Sequence, residues 1–332
     1  MRNQQRDSLV LPGEALSVIK GNHGAAEGSK ERRRPKRRSS IRGREGLTGL
    51  LFMTPWLVGL VGLTLGPMIY SLYLSFTRYD LMSPPEWVGV DNFNEMLADP
   101  RFISSARVTV IYAVVSVPLL LIVSMLLALL LSRGIRFLAG YRVLFYLPSL
   151  LGASVAVAIL WRQIFGADGI VNAVLGWFGI EHESWIGNPD TALSTLITLS
   201  VWAFGATMII FLAGLLQIPK ELYEAASIDG AGPVRRFFSV TVPVMTPLIF
   251  FNLLLDTVHA FDAFTSAYVV SGGTGGPSDS TLFYTLYLYI QGFSQLDMGY
   301  AAAMAWLLVL VLAAFTGLAF FSAKYWVFYG DE

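Results

Sequence analysis

The chain has 332 residues, 55% hydrophobic and 14% charged, and its mean hydropathy is +0.59. That composition excludes an ordinary soluble domain and points to a polytopic membrane protein. The formal net charge of +0 hides an asymmetry, because twelve of the 23 Lys and Arg residues fall within the first 44 positions, and the lack of cysteine excludes structural disulfides and thiolate metal sites.

Residues 1–46 read as a disordered basic tail on the cytoplasmic side, built around ERRRPKRR from Glu31 to Arg38. A run of like charge cannot bury a core. Because a long apolar segment follows it, the run reads as a positive-inside anchor in preference to a nucleic-acid patch. A cleaved signal peptide fits badly, since the basic region is too long and no small-residue cleavage site follows a short apolar core.

A bilayer core about 30 Å thick needs roughly 20 apolar helical residues. Uncharged runs of about that size or longer occupy Gly46–Thr77, Val108–Ser132, Val143–Trp161, Thr191–Gln217 and Met298–Ala323, and a further span with charges inside it runs from Val244 to Val270. The expected architecture is all-α with six transmembrane helices over 47–332. Pro55 and Pro67 mark a bend or an interfacial start in the first run. With the N-terminus inside, Arg133, Arg136, Arg142, Lys220, Arg235, Arg236 and Lys324 also fall inside. The opposite loops carry Arg78, Arg101 and Arg107, with Arg162 at a span end. They also hold Asp80, Glu86, Asp91, Glu95, Asp99, Asp168, Glu181, Glu183, Asp190, Asp279 and Asp297. The positive-inside rule places both termini in the cytoplasm. Trp56, Trp161, Trp202, Trp306 and Trp326 lie in or near spans, where they serve as interfacial anchors or fill the core.

Between the fourth and fifth spans a polar elbow, 219–243, interrupts the apolar chain and faces the cytoplasm. Pro219 and Glu221 make a helix start. Glu224, Ala225 and Ala226 continue that helix, and Gly230 with Gly232 allows a turn. Pro233 opens a second short helix, Val234 to Val240, in which Phe237, Phe238 and Val240 pack while Arg235 and Arg236 reach out. Pro243 and Pro247 are expected to stop it before the next span. The small-residue surface suits close approach by a partner, although spacing alone is equally compatible with an amphipathic loop.

The stretch EAASIDGAGPVRRFFSVTVPVMTP, Glu224 to Pro247, resembles the cytoplasmic signature loop of permease subunits of binding-protein-dependent ABC importers. The resemblance covers nearly all of the chain beyond Leu50. It extends to the maltose-transporter-type carbohydrate branch through YSLYLSFTRYDL (Tyr70–Leu81), VGVDNF (Val88–Phe93), YRVLFYLPSLLGASVAVAILWRQIF (Tyr141–Phe165), GIVNAVLGWFGI (Gly169–Ile180) and FLAGLLQIPKELYEAASIDGA (Phe211–Ala231). It implies coupling helices that dock into a groove of a separate ATP-hydrolysing subunit. Glu224, Ala225, Ala226, Asp229, Gly230, Ala231, Phe237 and Pro243 carry that contact. It further implies a second permease subunit, two ATP-binding subunits that use ATP and Mg, and an extracytoplasmic sugar-binding protein, all in a bacterial-type cell membrane. The family's Gly-Gly-Gly-Pro after the fifth span stands here as GGTGGP, Gly272–Pro277, which reads as a contact for the binding protein or as a plain linker. With no extra span or large external domain before the core, the likeness is to the smaller six-span relatives.

The chain lacks a phosphate-cradling loop: none of Lys20, Lys30, Lys36, Lys220 and Lys324 is preceded by Gly and followed by Ser or Thr. No catalytic residues and no resident cofactor are therefore expected. His23, His182 and His259 do not have zinc-ligand spacing, so no metal is expected either.

Ionisable groups at membrane depth by default line a protein interior or a watery path. Asn252, Asp256, His259, Asp262 and Ser266 share one helical arc at 100° per residue. On one reading this face lines a sugar pathway, with Phe261, Phe264 or Tyr268 offering ring faces; on the other these groups satisfy a neighbouring helix. No Arg or Lys lies within the fifth or sixth span proper, so a neutral mono- or oligosaccharide is expected over a phosphorylated substrate. A proton-coupled secondary transporter relaying through Asp256, His259 and Asp262 is the alternative, and a non-transporting scaffold is a further one. Neither accounts for the Glu-Ala-Ala elbow as well.

Overall fold

The computed structural model describes residues 51–133, 138–152, 154–180 and 184–328. The basic tail 1–46 lies outside the described residues, as do Arg136, Glu181, His182 and Glu183. The chain forms two units, Met1–Gly59 and Leu60–Glu332, and in the first of them residues 51–59 are helical.

Among the described residues four helices are long and apolar enough to cross a membrane: α1 (Leu51–Leu74), α3 (Pro100–Ser132), α10 (Pro233–Phe261) and α13 (Met298–Trp326). Two bent helix pairs are also apolar enough when each is taken together, α4 (Leu138–Leu151) with α5 (Val155–Ile164), and α7 (Pro189–Trp202) with α8 (Gly205–Gln217). Their bends are 100° and 43°, and counting each pair as one span gives six. Short elements fill the connections: strands β1 (Thr77–Arg78) and β2 (Glu86–Trp87), paired antiparallel, and helices α2 (Asp91–Ala98), α6 (Ile170–Gly176), α9 (Lys220–Ile228), α11 (Thr265–Ser271) and α12 (Tyr284–Tyr289).

The bends have local causes. Gly152, with φ +46°, ends α4 in the left-handed region, and the Ser154 hydroxyl then caps α5 by accepting from the Val157 N–H at 3.3 Å. At the second bend Gly205 lies against α4, where an added Cβ would overlap the Phe145 carbonyl. In α1 a π-helical turn, Leu60–Leu65, stands just before Pro67 and accommodates the hydrogen bond that the proline cannot make.

Helix α3 is the axis of the second unit and packs against α7, α8, α10 and α12. Its buried face includes Ser105, Thr109, Ala113, Ser116, Ser124 and Ala128, small residues that let neighbouring backbones come close where hydrophobic burial gives no drive between helices. Two of them also bond across helices: Ser124 Oγ donates to the Phe204 carbonyl at 3.2 Å, and the Tyr284 N–H donates to Thr109 Oγ1 at 2.8 Å. Ile111, Val114, Ile122 and Leu126 on the same helix are exposed, as a lipid-facing surface requires. Trp161 fills the core, donating from Nε1 to the Thr195 carbonyl at 2.9 Å with its ring 5.9 Å from that of Trp202.

The fifth span departs from its expected limits. The sequence suggests a short helix ending at Pro243 and a span from Val244 to Val270; instead one helix runs from Pro233 to Phe261, breaks at Asp262–Phe264 and resumes as α11. A π-helical turn, Phe237–Thr241, precedes Pro243. The Pro243 carbonyl, left without a partner by Pro247, accepts from Thr246 Oγ1 at 2.6 Å. Membrane helices tolerate proline when such bonds replace the missing ones.

Candidate functional site

Two places gather the residues singled out by sequence. The first is the elbow joining α8 to α10. Pro219 sits one position before α9 in extended backbone, and Glu221 lies in the helix's first turn. The helix ends on Asp229 in a Schellman arrangement: the Gly230 N–H bonds to the Ser227 carbonyl at 3.0 Å and the Ala231 N–H to the Ala226 carbonyl at 2.9 Å. Gly230 has φ +76°, a conformation in which glycine carries no steric penalty. Gly232 then caps Pro233 at the first position of α10.

Glu224, Ala225, Asp229 and Gly230 are exposed, Ala226, Phe237 and Pro243 are half-buried, and Ala231 is buried under the turn. Three large apolar side chains on the elbow are open: Ile228 is 87%, Val234 70% and Phe238 66% exposed. Here the structure corrects two expectations. Phe238 does not pack inward but stands exposed, its ring meeting that of Phe237 edge-on at 5.0 Å. Arg236 does not reach out, because its Nη1 donates to Ser227 Oγ at 2.8 Å and braces α9 against α10. Tyr223 OH and Thr241 Oγ1, 2.9 Å apart, make a second brace.

The second place is a cavity of about 760 Å³ between α3, α4, α7, α8, α10 and α11. Asn252, Asp256, His259, Asp262 and Ser266 all line it. Although α10 stops at Phe261, Asp262 lines the cavity as the residue that ends that helix, and Ser266 lines it from the first turn of α11. Sequence reasoning missed the facing wall, which includes Tyr112, Ser149, Ser200 and Thr207. Thr207 Oγ1 donates to Asp256 Oδ2 at 3.4 Å, and Asn252 is turned back on the Leu248 carbonyl at 2.8 Å. Phe264 lines the cavity and begins a row of rings, Phe264, Tyr289 and Phe293, with centroids 5.2 and 5.1 Å apart. Phe261 and Tyr268 do not line it. Among the described residues no group of three or more His, Cys, Asp or Glu could hold a metal ion.

At the far end of α3 a polar cluster went unread in the sequence. Asp99 accepts from Tyr287 OH, from Tyr300 OH at 2.8 Å and from the Arg101 N–H at 2.9 Å. Arg101 forks onto Asp279. The run Asp99-Pro100 signals a helix start, but partners 188 and 201 residues away leave no local trace. Burial works against the charge on Asp99, yet the bonds from Tyr287, Tyr300 and the backbone outweigh it and hold the carboxyl below the usual aspartate value.

A helical, multi-pass membrane protein with a braced polar elbow and a partly open, largely apolar cavity that carries a few polar side chains is the class these features define. The sequence profile described as "Binding-protein-dependent transport system inner membrane component" matches residues 96–327. The chain is 49% identical over 299 residues to the probable ABC transporter permease protein YesP of Bacillus subtilis (strain 168), spanning 90% of this chain and 96% of that protein. It is 33% identical over 293 residues to the lactose transport system permease protein LacF of Rhizobium radiobacter, spanning 86% and 97%. A solved structure described as a bacterial alginate ABC transporter in complex with alginate pentasaccharide-bound periplasmic protein shares the fold, with a TM-score of 0.72 at 22% identity over 86% of this chain and 96% of that one. The chain belongs to the family of inner membrane components of binding-protein-dependent transport systems.

Proposed function

We propose that this chain is one permease subunit of an ATP-driven importer for a neutral mono- or oligosaccharide. A second permease completes the pathway, two ATP-binding subunits hydrolyse MgATP on the cytoplasmic side, and an extracytoplasmic binding protein delivers the sugar. Both termini are cytoplasmic. The elbow Glu224–Pro243 receives the motion of an ATP-binding subunit and passes it directly into α10, on which the cavity residues sit.

The exposed elbow carries this reading. Ile228, Val234 and Phe238 are exposed apolar side chains on an elbow whose shape is fixed from within, which is what a docking contact needs and a plain loop does not. Since Phe237–Thr241 is continuous with the helix that bears Asn252 and Asp256, a push on the elbow has a rigid route to the cavity. The relatives named for lactose transport and alginate support a sugar. Neutrality rests on the wall of the cavity: its ionisable groups are Tyr112, Asp256, His259 and Asp262, with no Lys or Arg among the lining residues to pair an anionic substrate.

The test of coupling compares wild-type chain with Glu224→Arg in the reconstituted complex, measuring ATP hydrolysis and uptake together. Loss of uptake with hydrolysis uncoupled, or loss of ATPase docking by a folded permease, is expected; unchanged hydrolysis and transport would remove the elbow's role. For the substrate, uptake inhibited by neutral oligosaccharides and not by glycerol phosphate or uronate oligosaccharides is expected, and the opposite pattern overturns neutrality. Asp262→Ala is expected to impair uptake at limiting substrate, and full uptake would exclude that residue from the pathway. A proton-coupled carrier would stop when an uncoupler acts while ATP stays high.

A further inference from the structure

We infer that Arg101 and Asp279 are positioning residues that hold the glycine-rich turn after α11 in the shape on which the extracytoplasmic binding protein docks. The inference rests on the importer reading above and names the residues that prepare its outer contact.

The turn is improbable as free chain. Gly272, Gly273, Gly275 and Gly276 have φ between +67° and +93°, and they are followed by Ser278 at +51° and Asp279 at +57°. Glycine reaches this region freely but is the most costly residue to order, and serine enters it only under constraint. Space also demands glycine here: a Cβ at Gly275 would lie 2.7 Å from Leu282 Cδ1, and one at Gly276 would overlap Thr281 Oγ1. Within the turn, the Thr281 N–H and hydroxyl both donate to the Gly275 carbonyl at 2.9 Å. Gly272, Thr274 and Ser278 remain exposed, so the ordered backbone is presented outward.

Only one side chain from a distant part of the chain grips the turn by an ion pair among the described residues. Arg101 donates from Nε to Asp279 Oδ2 at 3.1 Å and from Nη2 to Oδ1 at 2.8 Å. The planar fork fixes the direction of the carboxylate as well as its distance. Arg101 is itself held from behind: its guanidinium lies 5.4 Å from the centre of the Tyr287 ring, and its own N–H is bound by Asp99. Asp99 is in turn tied to Tyr287 and Tyr300, and Gln291 Nε2 donates to Tyr287 OH. The pair is partly open to water, with side chains 42% and 28% exposed, so it adds little to overall stability. Its effect is local. It fixes the one left-handed aspartate that closes a turn otherwise made of the most flexible residues, and a turn ordered in advance does not have to be ordered by its partner.

The experiment uses the full complex in lipid nanodiscs, titrated with the binding protein that stimulates the ATPase of the wild-type complex. Arg101→Ala and the near-isosteric Asp279→Asn should each raise the binding-protein concentration for half-maximal stimulation about fivefold, by loss of preorganisation, with basal and maximal rates within about twofold of wild type. The double variant should be no worse than the worse single, because both remove one interaction. Arg101→Lys, which keeps the charge and loses the fork, should fall between. An unchanged half-maximal concentration in all variants overturns the inference and leaves the importer reading standing. So does failure of both single variants to assemble, which would make the pair a folding contact. A wild-type complex that no binding protein stimulates overturns both.

Discussion

Gly299, in the first turn of α13, shows how tightly the second unit is drawn together. The Met298 and Gly299 N–H groups donate to the Tyr79 carbonyl at 2.9 and 3.2 Å, and Asn92 Nδ2 bonds the Ser75 and Thr77 carbonyls, both at 2.9 Å. A Cβ at position 299 would overlap the Thr77 carbonyl oxygen, which is backbone and cannot swing away. Gly299→Ala is therefore expected to cost about 1–3 kcal/mol by overpacking, despite the gain in helix propensity. A lowered unfolding midpoint in detergent would bear this out, and an unchanged one would not. Asp99 allows a second expectation. Because its folded pKa lies below the ordinary value of 3.8, its stabilising effect is fully present above the unfolded value and is lost only as pH falls through the folded one. Hydrogen-exchange protection at Tyr287 and Tyr300, corrected for intrinsic rates, should stay flat from about pH 7 to about pH 5; a loss of protection within that window would contradict it. Neither the Gly299 contact nor the Asp99 cluster can be read from sequence, since each depends on which distant backbone comes near.

Helix α10 shows where pattern reading succeeds and where it stops. Asn252, Asp256 and His259 recur at helical spacing, and that periodicity suffices to place them on one wall. Pro243 and Pro247 looked like stops because proline lacks an N–H and clashes with the preceding turn. The helix passes through both because a π-helical turn precedes one and a threonine hydroxyl serves the carbonyl left by the other. That compensation is invisible to a propensity argument, which is why the second helix of the elbow appeared to be separate from the span. Thr246 has a second partner, accepting from the Phe328 N–H at 2.8 Å and so tying α10 to the end of α13. Thr246→Val keeps the shape and removes both bonds. It should destabilise the protein by about 1–2 kcal/mol, since a part-buried carbonyl and an N–H lose their partner together. Stability equal to wild type in a chemical denaturation series would show that water or a rearranged turn replaces the hydroxyl.

Hydropathy made the four long apolar helices and the two bent pairs legible as candidate spans, because it is a sum over many residues and does not depend on which neighbours meet. The bends at Gly152 and Gly205 were not legible, since glycine in an apolar run has the same hydropathy whether it kinks a helix or admits a close neighbour. Orientation is a different kind of inference: it comes from where Lys and Arg fall, and the fold alone does not contain it. If the rule holds, Lys220 at the start of the elbow is cytoplasmic and Thr274 in the glycine-rich turn is on the other face; both are exposed. The chain has no cysteine, so a single introduced thiol reports its own position without background. In intact cells a membrane-impermeant maleimide should label Thr274→Cys, and should label Lys220→Cys only after the membrane is opened. The reverse pattern would turn the chain over, place the elbow where no ATP-hydrolysing subunit could reach it, and remove the proposed route by which ATP-driven motion enters α10.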